Sequence, residues 1–157
     1  MKALACCLIA LAVAGCQSAP EQSHTSERAR FYLESGEAQA EVLTLPQSGV
    51  QIWVMPKPVF TEFDFVHVDI AQAKQGQCLA FQLTPAAAHD LYKLTLSHQG
   101  ARLVLMLGGV PFGARRISQP LDGGTLFVFI EVPDSSLPAL VASLNETCAA
   151  LQPAAAK

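Results

Sequence analysis

Short apolar runs separated by turn residues dominate the chain between residues 31 and 83. Runs of four to eight residues that are rich in β-branched and aromatic side chains, or that alternate apolar with polar, are typical of β-strands. Such runs lie at residues 41–45, 50–55, 63–70 and 77–83, and a shorter one lies at residues 31–33. The turn between the second and third runs ends in Gly49, which can adopt the positive φ that a tight turn needs. We therefore expect a hairpin there, with further strands on either side.

Two later segments have the 3.6-residue apolar period of an α-helix. The first follows Thr84, a suitable N-cap, with Pro85 at the first helical position, and it ends near Gly100. The second begins near Ser135 or Ser136. Its apolar stripe consists of Leu137, Leu140, Val141, Leu144, Cys148 and Leu151.

Three more strands are predicted between these helices, at residues 102–107, 110–117 and 125–132. Gly108 and Gly109 join the first two as a hairpin. The pattern predicts an α+β domain, a mostly antiparallel β-sheet with two helices packed on one face. Residues 102–107 and 125–132 are apolar at nearly every position, so both faces of these strands should be buried. Because two helices cover one face, the other face must meet the N-terminal hairpin or a partner.

The N-terminus resembles a bacterial lipoprotein signal peptide. Lys2 supplies a positive charge, and residues 3–13 are an apolar run too short to span a bilayer. Val13-Ala14-Gly15-Cys16 is similar to a lipobox, in which the cysteine is acylated and becomes the first residue of the mature protein. The alternative is an ordinary signal peptide that ends in Cys. Gln17 rather than Asp after the cysteine favours the outer membrane, on its periplasmic side.

Four segments follow from these patterns. Residues 1–15 are the expected signal peptide, and residues 16–30 a flexible tether that begins at lipidated Cys16. Residues 31–152 form the folded domain, and residues 153–157 a tail. The tether is polar and mixed in charge, and about 14 such residues span on average about 20 Å. We therefore expect the domain to stay close to its membrane.

Two cysteines remain in the folded part, Cys78 and Cys148. An oxidising compartment favours a disulfide between them, which would close a loop of about 70 residues and stabilise the fold by about 4 kcal/mol. The alternative is two separate buried thiols. Metal binding by the pair is disfavoured, because no Cys or His lies at ligand spacing from either.

Composition and charge narrow the function further. The chain has 157 residues, of which 51% are hydrophobic and 15% charged, with a net charge of −3. It is too apolar for a disordered protein, and it lacks the basic surface that nucleic-acid binding requires. The metalloprotease, serine-hydrolase, dithiol, phosphate-loop and dinucleotide motifs are all missing from the sequence. We therefore expect no enzyme, no cofactor and no metal.

Two sets of side chains remain as candidates for a site. His67 and Asp69 point to the same side of a strand, which can be the start of an acid–base or metal site or a hydrogen-bonded pair at a sheet edge. Phe127 and Phe129 share one face of their strand, and Phe112 or Trp53 can join them. If the N-terminal hairpin does not cover these rings, they form an apolar binding face; otherwise they are core.

The middle and end of the chain resemble the periplasmic head subdomain of SecDF. The resemblance covers about residues 42–144 and is strongest after Cys78. It rests on Phe81-Gln82-Leu83-Thr84, Ala86-Ala87, Leu94-Thr95 with Gly100-Ala101-Arg102, Leu103 to Leu107 with Gly108-Gly109-Val110, Ala114-Arg115 with Ile117, and Pro120 to Gly123. These are structural glycines and apolar positions, so the resemblance implies a fold and no catalytic residue.

SecDF assists protein export across the inner membrane, and its head contacts the emerging polypeptide. The sequence lacks the family's proton-carrying transmembrane helices, so the resemblance implies a free-standing head module on a lipid tether. The leading hypothesis is a non-enzymatic periplasmic lipoprotein that binds protein, as an accessory of the cell envelope that contacts exported chains. The alternatives are a small-ligand or lipid-binding module, which needs a cavity of about 300 Å³ or more, and a hydrolase built on His67 and Asp69.

Overall fold

The computed structural model describes residues 27–36 and 39–152. Two short 3-10 helices, Glu62–Asp64 and Asp134–Ser136, accompany the main elements. In chain order these elements are β1 (Ala29–Leu33), β2 (Glu41–Thr44), β3 (Gln51–Val54), β4 (Phe65–Ala73), β5 (Gly76–Leu83), α1 (Pro85–Ser97), β6 (Arg102–Leu107), β7 (Val110–Arg116), β8 (Thr125–Ile130) and α2 (Leu137–Leu151).

Six strands form one antiparallel sheet in the order β1-β6-β7-β8-β5-β4. Each neighbouring pair is antiparallel, and β2 and β3 form a separate two-stranded hairpin. The predicted α+β class with a mostly antiparallel sheet is confirmed. The predicted signal peptide, Cys16 and the tail from residue 153 lie outside the described residues. The last two residues of the predicted tether, Ala29 and Arg30, are part of β1.

Both helices pack on the same face of the sheet, as predicted. Leu91 of α1 and Leu144 of α2 lie in one buried core with the inward side chains of the strands. Phe31, Phe65 and Phe81 meet at its centre, and the Phe31 and Phe81 rings lie edge to face with centroids 5.2 Å apart. Edge-to-face rings add about 1 kcal/mol per pair to the stabilisation from burial.

Local sequence signals position α1 between two strands. The Thr84 hydroxyl accepts a hydrogen bond from the Ala87 N–H at 3.3 Å, and Pro85 occupies the first turn. Gly100 follows the helix with φ +91°, a conformation that side chains with a Cβ rarely adopt. The N-cap hydrogen bond and the glycine fix both ends of the helix, so β6 begins at the predicted residue.

The β2–β3 hairpin covers only part of the sheet's second face. Leu45, Ile52 and Val54 form a second small core with Val104 of β6, and Tyr32 of β1 packs against its side. This core lies over the β1–β6–β7 half of the sheet. The hairpin therefore leaves the β8–β5–β4 half of this face without a covering layer in the part of the chain that is described.

One carboxylate fastens the hairpin to the main sheet. Glu131, which follows β8, accepts hydrogen bonds at Oε2 from the N–H groups of Gln47 and Ser48 in the hairpin turn, at 2.8 and 2.9 Å. These bonds contribute to a lowered pKa of Glu131. The hairpin turn is thus tied to the end of β8.

Candidate functional site

Phe127 and Phe129 are exposed on the uncovered half of the second face. Their neighbours Leu126 and Val128 point into the helix-side core, and alternation along β8 turns both rings the other way. Phe127 is 41% exposed and Phe129 37%. Of the two interpretations left open by the sequence, the structure therefore favours an exposed aromatic pair over core packing.

The two rings line an open groove, here called the aromatic groove. Its volume is about 450 Å³, and it is lined by Phe127, Phe129, Cys78, Ala71, Lys74 and Arg115, with Gln72 and Gln75 beside them. In the helix-side core, the gap between Phe65, Phe81 and Leu144 holds only about 10 Å³. The concave space next to the rings is therefore at the surface.

Arg115 lies at the point where β7 and β8 separate. These strands pair only at Gly113 with Ile130 and at Ala114 with Phe129. Just beyond this, the Arg115 Nη1 donates a hydrogen bond to the Phe127 carbonyl oxygen at 3.0 Å. The side chain is half-buried, and this burial lowers the pKa of Arg115 below its ordinary value. Arginine nevertheless stays charged at neutral pH.

Among the described residues, no ion pair links an arginine of β7 to Glu131 or Asp122. Glu131 binds the hairpin turn instead. Among the residues described, Arg115 forms no ion pair with a carboxylate. The lack of a carboxylate partner for Arg115 could not be predicted, because the sequence does not show where β7 and β8 stop pairing.

Phe112 and Trp53 do not join the aromatic groove. Phe112 lines a different open groove of about 690 Å³, together with Arg30, Tyr32 and Met106. Trp53 lies on the outer side of β3 and is 56% exposed. Of the predicted binding residues, the structure thus brings together Phe127 and Phe129 and separates Phe112 from them.

The predicted disulfide is not formed. Cys78 and Cys148 are both buried free thiols. Cys148 belongs to the helix-side core, whereas Cys78 alternates with Leu79 and therefore faces the aromatic groove. Since the sheet separates the two sulfur atoms, no rotamer change can join them. Burial raises the pKa of both thiols.

His67 and Asp69 form a hydrogen-bonded pair on the edge strand β4. Their Nε2 and Oδ1 atoms are 3.1 Å apart, and the second Asp69 oxygen accepts from Gln82 Nε2 at 3.1 Å. Both side chains are exposed. The third member of this cluster is an amide rather than a hydroxyl or thiol, so the pair has the arrangement of a surface polar cluster. No group of three potential metal ligands occurs within the described ranges.

Comparison with solved structures finds SecDF. A structure of SecDF, described as a membrane component that enhances protein export, matches with a TM-score of 0.58 and 16% identity, over 75% of this chain and 61% of that one. A crystal structure of SecDF in a super-membrane-facing form gives 0.59 and 16%, over 76% of this chain and 19% of that one. The chain has a SecDF-like fold.

A third structure, SecDF from Thermus thermophilus, a translocon-associated membrane protein, matches with a TM-score of 0.53 and 15% identity, over 80% of this chain and 20% of that one. This chain thus spans between a fifth and three fifths of the SecDF chains it matches. No protein-family model matches the sequence. No curated protein matches it either. Among the described residues, neither helix has the length and hydropathy needed to cross a bilayer.

Proposed function

We propose that this protein is a non-enzymatic, lipid-anchored module of the bacterial cell envelope that binds polypeptides, including proteins in export. The proposed location is the periplasmic side of the outer membrane, reached through acylated Cys16. The observation that carries the proposal is the pair Phe127 and Phe129, exposed side by side on the half of a sheet face that no other described element covers. Exposed aromatic clusters of this kind mark protein interfaces.

The shape of the site supports a polypeptide over a small molecule. Small-ligand sites bury most of the ligand's surface in a cleft or cavity. Here the volume next to the rings is an open groove on a sheet face, whereas the gap between Phe65, Phe81 and Leu144 in the helix-side core holds only about 10 Å³. A small-ligand or lipid-binding module remains the alternative function, because 450 Å³ exceeds the volume such a module needs.

The SecDF-like fold supports the choice of exported proteins as the partner class. The solved neighbours are described as enhancing protein export and as translocon-associated. The non-enzymatic assignment draws on the absence of a catalytic motif in the sequence. It also draws on the contact of Asp69 with Gln82, where a hydrolase would place a nucleophile.

Site-specific photo-crosslinking in cells tests the proposal. A photoreactive phenylalanine analogue replaces Phe127, and exported proteins are pulse-labelled before irradiation. We expect crosslinks to newly exported chains when cells are irradiated at the end of the pulse. Irradiation later in the chase should give few crosslinks, because those chains have folded by then. The matched control places the same analogue at Phe63, which is 64% exposed and lies on the 3-10 helix next to Leu151 of α2.

The crosslinking results distinguish the proposed site from its alternatives. Equal labelling from positions 127 and 63 would show that Phe127 is an ordinary exposed side chain and would contradict the proposed site. Crosslinks from position 127 only to lipid, with none to protein, would favour the lipid-binding alternative. Crosslinks that persist through the chase would identify a resident envelope partner and contradict contact with proteins in export.

A further inference from the structure

The charged side chains that line the aromatic groove are all positive. Two cationic side chains, Arg115 and Lys74, line it, and no Asp or Glu is among its described lining residues. The chain as a whole has a net charge of −3, so the positive character of this groove is local. A site that combines exposed aromatic rings with cations and no acid is complementary to an apolar ligand that bears negative charge.

The Arg115 side chain can donate further hydrogen bonds. A guanidinium carries five N–H donors in a planar fork, and the Phe127 carbonyl takes one of them. The group is half-buried beside Phe127, where its charge is less screened than at an open surface. A carboxylate that enters the groove can accept two parallel hydrogen bonds from such a fork, the strongest geometry available to this pair.

We propose that the aromatic groove binds an extended, apolar polypeptide segment that carries an aspartate or glutamate, with Arg115 as the counter-ion of that carboxylate. Phe127 and Phe129 contact the apolar side chains of the segment. Lys74 adds positive charge at the groove, and Gln72 and Gln75 add polar lining beside it. This inference rests on the proposed function and names the chemistry of the polypeptide that the groove prefers.

A pair of peptides tests the preference directly. Both are nine residues long, alternate leucine with serine and carry a fluorescent label; one has a central aspartate and the other an asparagine in its place. Binding to the full-length protein, reconstituted in lipid nanodiscs, is followed by fluorescence anisotropy. We expect the aspartate peptide to bind about tenfold more tightly, and this ratio to shrink as salt is raised.

Variants of one strand locate the effect. Arg115→Gln should abolish the preference for aspartate, and Arg115→Lys should restore part of it because charge returns without the fork. Arg116→Gln is the matched control, since Arg116 is the exposed neighbour in β7 and does not line the groove. It should keep the full ratio. If Arg115→Gln does not fold, the proposal is still tested by the wild-type ratio of the two peptide affinities and by its salt dependence. It is also tested by Lys74→Gln, which should reduce that ratio.

The outcomes separate this inference from the function it rests on. Equal binding of both peptides through Phe127 would overturn the carboxylate preference and leave polypeptide binding intact. A preference that survives Arg115→Gln and Lys74→Gln would overturn it too, by placing the carboxylate elsewhere. Binding of neither peptide, together with binding of octanoate that is lost in Phe127→Asp, would assign the groove to an acyl chain and overturn both proposals.

Discussion

Asn145 of α2 closes the edge of the sheet by binding both backbone groups of Val68. Its Oδ1 accepts from the Val68 N–H at 2.8 Å, and its Nδ2 donates to the Val68 carbonyl oxygen at 2.8 Å. The side-chain amide thus takes the place of a neighbouring strand along β4, whose outer edge would otherwise present unpaired groups. Gln152 adds a third such bond, from its Nε2 to the Phe65 carbonyl.

Removing this amide should weaken the fold. We expect Asn145→Ala to lower the free energy of unfolding by about 1–3 kcal/mol, because a buried donor and acceptor lose their partners together. Urea denaturation of the full-length protein measures the change. Glu146→Ala, at the next and exposed position of α2, is the control and should change it by less than about 0.5 kcal/mol. Equal effects of the two variants would refute the edge-closing role.

Gly113 is required where β7 and β8 meet. A Cβ at this position would lie 2.1 Å from the Phe129 carbonyl oxygen and 2.9 Å from the Ile130 Cα, and both are backbone atoms. Gly113→Ala should therefore force the strands apart, lower the free energy of unfolding by about 3 kcal/mol or more and change the exposure of Phe129.

Gly123→Ala is the matched control for this prediction. A Cβ at Gly123 would meet no atom within 4 Å, and the φ of this residue lies outside the left-handed region. The substitution should leave the thermal midpoint within a few degrees of the wild type. A similar loss of stability in both alanine variants would mean that the approach of β7 to β8 is not what constrains Gly113.

Glu62 should make the fold sensitive to acid. This carboxylate is only 5% exposed and accepts two hydrogen bonds from Arg30, at 3.0 and 3.1 Å, which lower the pKa of Glu62 below its ordinary value of 4.5. A lowered pKa stabilises the folded state above the unfolded value, and this stabilisation is lost as the pH falls through the folded value. The hydrogen bond from Arg102 also lowers the pKa of Glu34, so Glu34 adds to the loss of stability in acid.

Glu62→Gln tests this linkage. We expect the wild-type free energy of unfolding to fall steeply with acid below about pH 4.5 and the variant to show a flatter curve, with about 1–2 kcal/mol less stability at pH 7. Arg28→Gln should have little effect, since Arg28 is largely exposed and its Nε lies 3.8 Å from the carboxylate. Parallel curves for wild type and Glu62→Gln would show that other groups cause the acid sensitivity.

The Cys78 and Cys148 thiols should each react with an alkylating reagent after unfolding. We expect Cys78 and Cys148 both to be alkylated by iodoacetamide in guanidinium without reductant, and neither to react quickly in the native protein, because both are buried with raised pKa values. Mass spectrometry of the digested protein counts the adducts. Recovery of a Cys78–Cys148 linked peptide from cells would contradict the separation of the thiols by the sheet.

The proposed lipid anchor has its own test. Cells labelled with radioactive palmitate should incorporate it into the wild-type protein and not into Cys16→Ala, which should also keep its N-terminal segment uncut. The matched control is Cys7→Ala, within the expected signal peptide, which should still be labelled. Loss of the N-terminal segment without labelling would instead indicate an ordinary signal peptide.

Local rules explain why much of the fold was predictable. Thr84 and Pro85 start α1 through contacts within four residues, and Gly108 with Gly109 joins β6 to β7 without help from distant parts of the chain. The predicted 3.6-residue stripe of α2 begins at Leu137, as the structure has it. Element type and the α+β class follow from such short-range patterns, since side chains alternate in strands and repeat every 3.6 residues in helices.

The exposed aromatic pair was only half predictable. Alternation places Phe127 and Phe129 on one face of β8, but whether the hairpin reaches them depends on contacts between distant residues, such as the hydrogen bonds of Glu131 with a turn more than 80 residues away. The grouping with Phe112 failed because β7 is irregular, with a register shift against β6 between Leu105 and Met106. A bulge of this kind changes which way the following side chains point.

The sequence by itself determined the kinds of element, their order and the lipobox-like N-terminus, because each is encoded in neighbouring residues. Only the tertiary structure decided that Cys78 and Cys148 lie on opposite sides of the sheet and that Arg115, among the residues described, stands without a carboxylate beside the aromatic groove. Residues 78–81 of β5 are buried throughout, so no polar side chain marks which face of the strand meets the helices. Such assignments depend on which distant strands pair and where they separate, and this is fixed by packing over the whole chain.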